Sequence, residues 1–409
     1  MTNEHTPCGR MTRRGLLANA GLAALGAALL PRAGRAWNTP ASSVALARCQ
    51  SYDTGLVPTL AKMFDQIGGL GRLVKGKTVA IKINLTGDPD GRVGYLPIGL
   101  TTWTNPTLIA ATIHLMGNAG ARRIRLLESP WKSVEPVQEY MAAAGWDSAI
   151  FTSAAANVEF ENTNFLGQGT KYIRFPVPHG GHLFPAFDLN HSYEDCDVFV
   201  SIAKMKEHQT AGITLSMKNC FGITPCTIYG DGAPEDEPGL VPLGGRFPIH
   251  SGSRQPPKSS LPEIDPNSPR DGGYRVPRCV SDLVAARPIH LAIIDGIESQ
   301  TGQETVGPMA KHVTPHILVA GINPVCVDAV GAAVMGFDPM ADRGKAPFEF
   351  CDSTLRLAEE LGVGTRDLKR IEVIGARIAD LVFDFRKAGY PIPREVPDHD
   401  RPAPPAKKG

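Results

Sequence analysis

Apolar residues recur along this chain in two rhythms, and their alternation predicts its architecture. Short unbroken apolar runs read as buried strands at 44–49, 78–85, 123–127, 198–202, 290–295, 317–320 and 370–374. Between them apolar residues return every three or four positions, as in Leu56, Leu60, Met63 and Phe64, which is the spacing of one helix face. Helices are predicted over 54–67, 105–118, 135–144, 278–286 and 325–335, and over the amphipathic stretch 348–361. Asn105-Pro106 marks one helix start, because proline at the first helical position gives up an N–H that has no partner there anyway. Strands and helices in strict alternation with short turns imply parallel pairing with right-handed crossovers. The expected fold is therefore three-layer α/β, a mostly parallel sheet with helices on both faces, in one lobe or two. Residues 172–177, flanked by prolines, read as an edge or hairpin strand.

The pattern breaks in three places. At 224–277 apolar periodicity gives way to proline, glycine and serine, and a long irregular stretch inside a compact domain is either functional or disordered. It reads as a cover over a site, with a disordered surface insertion as the alternative. At the amino terminus Arg13-Arg14 precedes an uncharged run of about sixteen residues rich in Ala, Gly and Leu. That is short of the ~20 residues of a membrane span, and small residues at Ala33 and Ala36 suit a signal peptidase. Residues 1–36 thus resemble a twin-arginine signal peptide. The expected partner is the twin-arginine export machinery, and the expected product is periplasmic, with no stable membrane span after cleavage. The domain proper is expected over 37–390. The proline-rich stretch 391–409 reads as a mobile tail.

Composition adds limits. A formal net charge of +1 supplies no global field toward nucleic acid or a membrane, so no nucleic-acid partner is expected. The eight cysteines contain no Cys-x-x-Cys pair, so buried free thiols are expected and no iron–sulfur cluster. Gly-x-Ser-x-Gly and both familiar glycine-rich phosphate loops are absent.

Candidate chemistry gathers after the strand 198–202, in Lys204-Met-Lys206-Glu-His208. Open α/β sheets bind ligands beyond the carboxyl ends of their strands. One cation there is ordinarily solvated; two lysines and a histidine together favour an anion. Thr210, Thr214 and Lys218 follow at intervals of four, which stacks them on one face of an expected helix. Lys82 and Asn84, two apart at the end of 78–85, share a strand face. A lysine in an apolar run needs either a carboxylate, for which Glu128 on the next strand is available, or an anionic ligand, and the spacing does not choose. Lys218-Asn219 lies among Met217, Cys220 and Phe221, a setting where polar groups need partners.

These residues also carry a resemblance. Lys204-x-Lys206-x-His208, then Thr210-x-Gly212-x-Thr214, then Lys218-Asn219-x-Phe221-Gly222 is similar to the core signature of domain-of-unknown-function family 362. Ile81-Lys82-Ile83-Asn84, Glu128-Ser129-Pro130, Asp295-Gly296-Ile297 and Asn323-Pro324 with Asp328 fit the same family in the same order, from about residue 78 to 339. Glu128 stands where Asp is expected, and the cysteine-rich ferredoxin module of some members is absent. The family has no settled activity, so the resemblance implies architecture, and it strengthens a functional role for His208, without implying a reaction.

Asp295 closes a strand, so it is expected at the same sheet edge as His208, as a general base or a metal ligand. Asp328, early in a helix, is accounted for by the helix dipole alone. The expected site joins His208, Asp295 and Lys204 as catalytic groups with Lys82, Asn84, Lys206, Thr214, Lys218 and Asn219 as ligand-binding groups. The expected activity is acid–base chemistry on a small anionic ligand, with a divalent metal as an option. The rivals are a binding protein for an anion and an electron-transfer accessory protein.

Overall fold

The structure, a computed structural model, describes residues 39–131 and 133–389; the leader and the carboxyl-terminal tail lie outside the described residues. The described residues form twelve strands: β1 Val44–Arg48, β2 Thr78–Lys82, β3 Arg123–Glu128, β4 Val158–Asn162, β5 Ile173–Pro176, β6 Ala186–Leu189, β7 Val198–His208, β8 Gly212–Thr214, β9 Leu291–Thr301, β10 Lys311–Val313, β11 Ile317–Gly321 and β12 Val373–Gly375. Six helices matter below: α1 Leu56–Gln66, α2 Pro106–Asn118, α3 Ser216–Asn219, α4 Phe247–Ser251, α5 Gly272–Ala286 and α6 Pro324–Val334.

The sheet runs β12-β1-β11-β9-β7-β2-β3-β4, with β8 added to β7 and β10 to β9. Its five-strand centre, β9 to β4, is parallel throughout, and β11 is antiparallel to both of its neighbours. Side chains alternate across it. Val79, Ile81, Val198, Val200, Ile202 and Ile293 face α1 and α2 in one apolar layer. Ala80, Phe199, Met205, Ala292 and Ile294 face α5 and α6 in the other. The architecture is the expected α/β fold with a large, mostly parallel sheet.

Local signals are used as the sequence suggests. Asn105 accepts a hydrogen bond from the Thr107 amide (2.9 Å) ahead of Pro106, and Asn323 accepts from the Val325 and Cys326 amides ahead of Pro324. Each side chain takes up donors that the first helical turn leaves without partners.

Three expectations change. The segment 210–218 is not one helix: Gly212–Thr214 turns back as β8 against β7, and only Ser216–Asn219 is helical. The reversal needs Gly212, whose φ is +74° and whose added Cβ would fall 2.6 Å from the Phe348 ring. Thr214 therefore pairs opposite Lys206 in the ladder rather than stacking over Lys218. Next, β7 and β9 run on past the expected ends at Ile202 and Asp295, because β8 and β10 prolong the ladder. Lys204, Lys206 and Asp295 consequently sit inside strands, fully buried. Finally, 348–361 is helical only over Thr354–Glu360, while β4 and β6 were not foreseen, and β6 pairs with β5 to complete the hairpin expected near 172–177.

Candidate functional site

The carboxyl ends of β2, β3 and β7, the segment from β8 through α3, and part of 224–277 enclose a cavity of about 540 Å³. Lys82, Asn84, Glu128, His208, Thr214, Lys218, Asn219, Arg246 and His250 line it. That volume lies in the range of sites for small organic ligands.

Its base is a fixed polar node. Lys82 pairs with Glu128 at 2.7 Å and also reaches Asn219 Oδ1 at 3.2 Å. Glu128 in turn accepts from the Leu85 and Ser129 amides. Asn219 Oδ1 takes a second donor from Asn84, and its amide group donates to the Ser201 hydroxyl at 3.0 Å. These side chains satisfy one another, so the Lys82–Glu128 pair is structural at least in part. Gly222 completes the node: a Cβ there would sit 3.2 Å from the Lys82 ammonium.

Above this node the groups are less committed. Among the described residues no carboxylate pairs with the Lys218 ammonium, which lies 4.4 Å over the Phe221 ring. Burial, relieved in part by Glu304, moves Lys218 down to about 8. The Thr214 hydroxyl is buried without a hydrogen-bond partner among the described residues, an arrangement that costs free energy unless something fills it. Helix α3 is held from below by Asp328, whose carboxylate accepts from the Ser216 amide (2.8 Å), the Ser216 hydroxyl and the Met217 amide (2.9 Å).

Two histidines line the same cavity. His208 Nδ1 accepts from the Thr210 amide at 3.1 Å, which leaves the proton on Nε2. His250 Nδ1 lies 2.8 Å from the Arg246 carbonyl, an acceptor only, so Nδ1 carries the proton and Nε2 is bare. Both rings are neutral at pH 7. Burial first, then Lys218, pushes His208 well below the usual imidazole range and His250 down to about 4. Arg246 fixes the segment that carries His250 by donating to the Thr224 and Ser129 carbonyls.

Expectation and structure part over Lys204, Lys206 and Asp295, none of which lines the cavity. Lys82 registers with Ser201, so Lys204, three residues on, points to the opposite face of the sheet. There it pairs with Asp295 at 2.7 Å and also donates to the Gly99 and Glu298 carbonyls. Asp295 is further held by the Tyr52 hydroxyl and the Asn105 amide. Lys204 and Asp295 therefore lie away from the cavity that His208 lines. Lys206 donates to the Thr102 carbonyl, and burial holds it far below the usual lysine range. Lys82, Lys218 and Arg246 line the cavity together with Asp88, Asp90, Glu128 and Glu304, and among the described residues no three His, Cys, Asp or Glu groups are placed to hold an ion. The seven described cysteines are free thiols, mostly buried.

Reading by motif missed Arg246, Phe247 and His250, which come from the segment without periodicity. The available signal was a cation, an aromatic ring and a histidine within five residues, just ahead of Gly252.

Comparison with known proteins adds the following. A family model described as Domain of unknown function (DUF362) matches residues 79–333. The Thylakoid-associated protein sll1697 of Synechocystis sp. is 28% identical over 186 residues, 45% of this chain. The chain spans about half the length of that curated relative (51%). Among solved structures, a Thermotoga maritima protein is similar with a TM-score of 0.32 at 13% identity, over 63% of this chain and 54% of that one. The lactate racemase apoprotein from Thermoanaerobacterium thermosaccharolyticum is similar with a TM-score of 0.32 at 11% identity, over 70% and 55%.

Proposed function

The chain belongs to the domain-of-unknown-function family DUF362, and we propose that it is an enzyme that binds a small anion in this cavity and moves protons on it through two histidines. One observation carries the reading. Two neutral imidazoles, one with a protonated Nε2 and one with a bare Nε2, line a single cavity beside an ammonium with no carboxylate partner among the described residues. Nε2 of His208 is a donor and can act as the acid; Nε2 of His250 is an acceptor and can act as the base. Lys218 and the Thr214 hydroxyl hold the anionic group, with Arg246 adding to the field. Asn84, Asn219 and the Lys82–Glu128 pair position these groups.

The test separates an enzyme from a binding protein. Small carboxylates and phosphate monoesters are incubated with the protein in D2O and followed by NMR for exchange or hydrolysis. His208→Asn and His250→Asn should stop turnover while calorimetry still detects the anion. Binding without turnover of any compound would leave the binding-protein reading instead.

The Arg13-Arg14 leader supports export by the twin-arginine route as part of the same proposal. Replacing both arginines with lysine should leave the precursor in the cytoplasm; unimpaired export of that variant would exclude the route.

A further inference from the structure

The cavity has an aromatic wall that acid–base chemistry on a small anion does not require. Phe221, beneath the Lys218 ammonium, meets the His250 ring edge-on at 4.8 Å between centroids. His250 is followed by Phe247 at 6.0 Å, and Phe247 by Trp131 at 6.3 Å, again edge-on. All four rings line the same cavity as Lys218 and Thr214. They form a continuous path from the cationic base to the mouth.

Exposure rises along that path as far as Phe247, and Trp131 beyond it is half-buried. Phe221 is 4% exposed, whereas Phe247 is 53% exposed. A large apolar ring left in water at the lip of a polar cavity gains nothing from folding, and exposed apolar surface at such a place marks a contact with something else. The position of Trp131 is also protected by sequence. Gly245 lies against the indole so closely that a Cβ would come within 3 Å of the ring, so any side chain at 245 would drive Trp131 away. At the other end, among the described residues, the Thr214 hydroxyl is buried and unpartnered and the Lys218 ammonium has no carboxylate. Among the described residues the cavity thus has an unpartnered hydroxyl and an ammonium without a carboxylate at its base, and an exposed aromatic ring, Phe247, at its mouth.

We infer that the ligand of this site is an anion joined to a planar ring, its charged group on Lys218 and Thr214 and its ring against Phe247 and Trp131. The inference rests on the anion-binding reading above and adds the class of substrate to it. Ring pairs prefer edge-to-face and offset-stacked contacts, and each is worth roughly two- to tenfold in affinity beyond the area buried. The two rim aromatics together should therefore separate an aryl anion from its aliphatic counterpart by about tenfold or more.

The experiment uses two matched pairs of probes, phenyl phosphate with methyl phosphate and benzoate with acetate, titrated calorimetrically into the full chain. The aryl member of at least one pair should bind about tenfold or more tightly than its partner. Phe247→Ala and Trp131→Ala should erase that advantage and leave the affinity for the aliphatic member unchanged, while Trp131→Phe retains most of it. Lys218→Ala should weaken both members together. Far-ultraviolet circular dichroism and melting of each variant confirm that it folds; Phe247 is exposed enough to be removed without loss of core. Equal affinity within both pairs, or an aryl preference that survives in the rim variants, would overturn the inference and leave the anion site standing. Failure of all four probes to bind would overturn the anion site itself, and this inference with it.

Discussion

Lys82 and Lys204 lie on adjacent strands of one sheet and face opposite sides of it. Lys82 registers with Ser201, so the pleat turns Lys204 to the far face, where it is sealed against Asp295 at 2.7 Å. The two lysines look equivalent along the chain, each closing an apolar run, yet one lines a cavity and the other is core. The predictions follow from that separation.

Lys204→Met should cost stability rather than ligand affinity. It leaves the Asp295 carboxylate buried without its cation, a loss of about 3 to 5 kcal/mol. The double change Lys204→Met with Asp295→Leu should recover much of it, since a buried pair is frequently replaceable by apolar residues of similar volume. Chemical denaturation of the three proteins reads this directly. A single variant as stable as the parent would show that the pair is not sealed.

Anion affinity should fall as pH rises through about 8. Lys218 is driven down to about 8 by burial, so its ammonium is present below that pH and lost above it, where an ordinary lysine would stay charged to beyond 10. Sulfate keeps one charge state across this range and isolates the effect of the protein. Lys218→Arg should keep its sulfate affinity at pH 9, because guanidinium does not lose its proton there. A flat profile for the parent protein would remove Lys218 from the anion site.

Asp328 governs the cavity from outside it. Its three acceptor bonds pin the first turn of α3, and burial pushes its carboxyl up to about 7 while those donors hold it down. Asp328→Ala strands the Ser216 and Met217 amides in the interior, at about 2 to 4 kcal/mol. Lys218, on the same turn, should lose its placement, so sulfate affinity drops together with melting temperature. Lost stability with unchanged sulfate binding would disconnect the two.

The segment 224–277 is anchored by charge. Glu263 is paired with the fully buried Arg275 at 2.5 Å and with Arg270 at 2.8 Å. Arg275→Met leaves Arg270, which is part-exposed, as the main partner of Glu263, and should cost about 3 to 5 kcal/mol. Because Arg246, Phe247 and His250 belong to this segment, limited proteolysis should cut it faster in the variant, and anion affinity should weaken. Proteolysis at the parent's rate would show that other contacts hold the segment.

The sequence by itself determined the α/β class, four of the five strands of the parallel centre and two helix starts, because apolar period and capping side chains are local properties that the fold then uses unchanged. It also brought Lys82, Asn84, His208, Thr214, Lys218 and Asn219 forward, and these do surround one cavity. It could not separate Lys204 and Asp295 from them, because which face a strand residue takes depends on register with its neighbours, and register is set by the packed sheet. It read 210–218 as a helix because intervals of four were visible while the return of β8 along β7 was not; that return depends on Gly212 meeting Phe348, 136 residues away. Arg246, Phe247 and His250 left no periodic trace, since an irregular segment is placed by contacts such as Glu263–Arg275 rather than by any repeat. Only the tertiary structure decided that their rings and charges close over the motif residues, because long-range packing alone brings together side chains that no local rule connects.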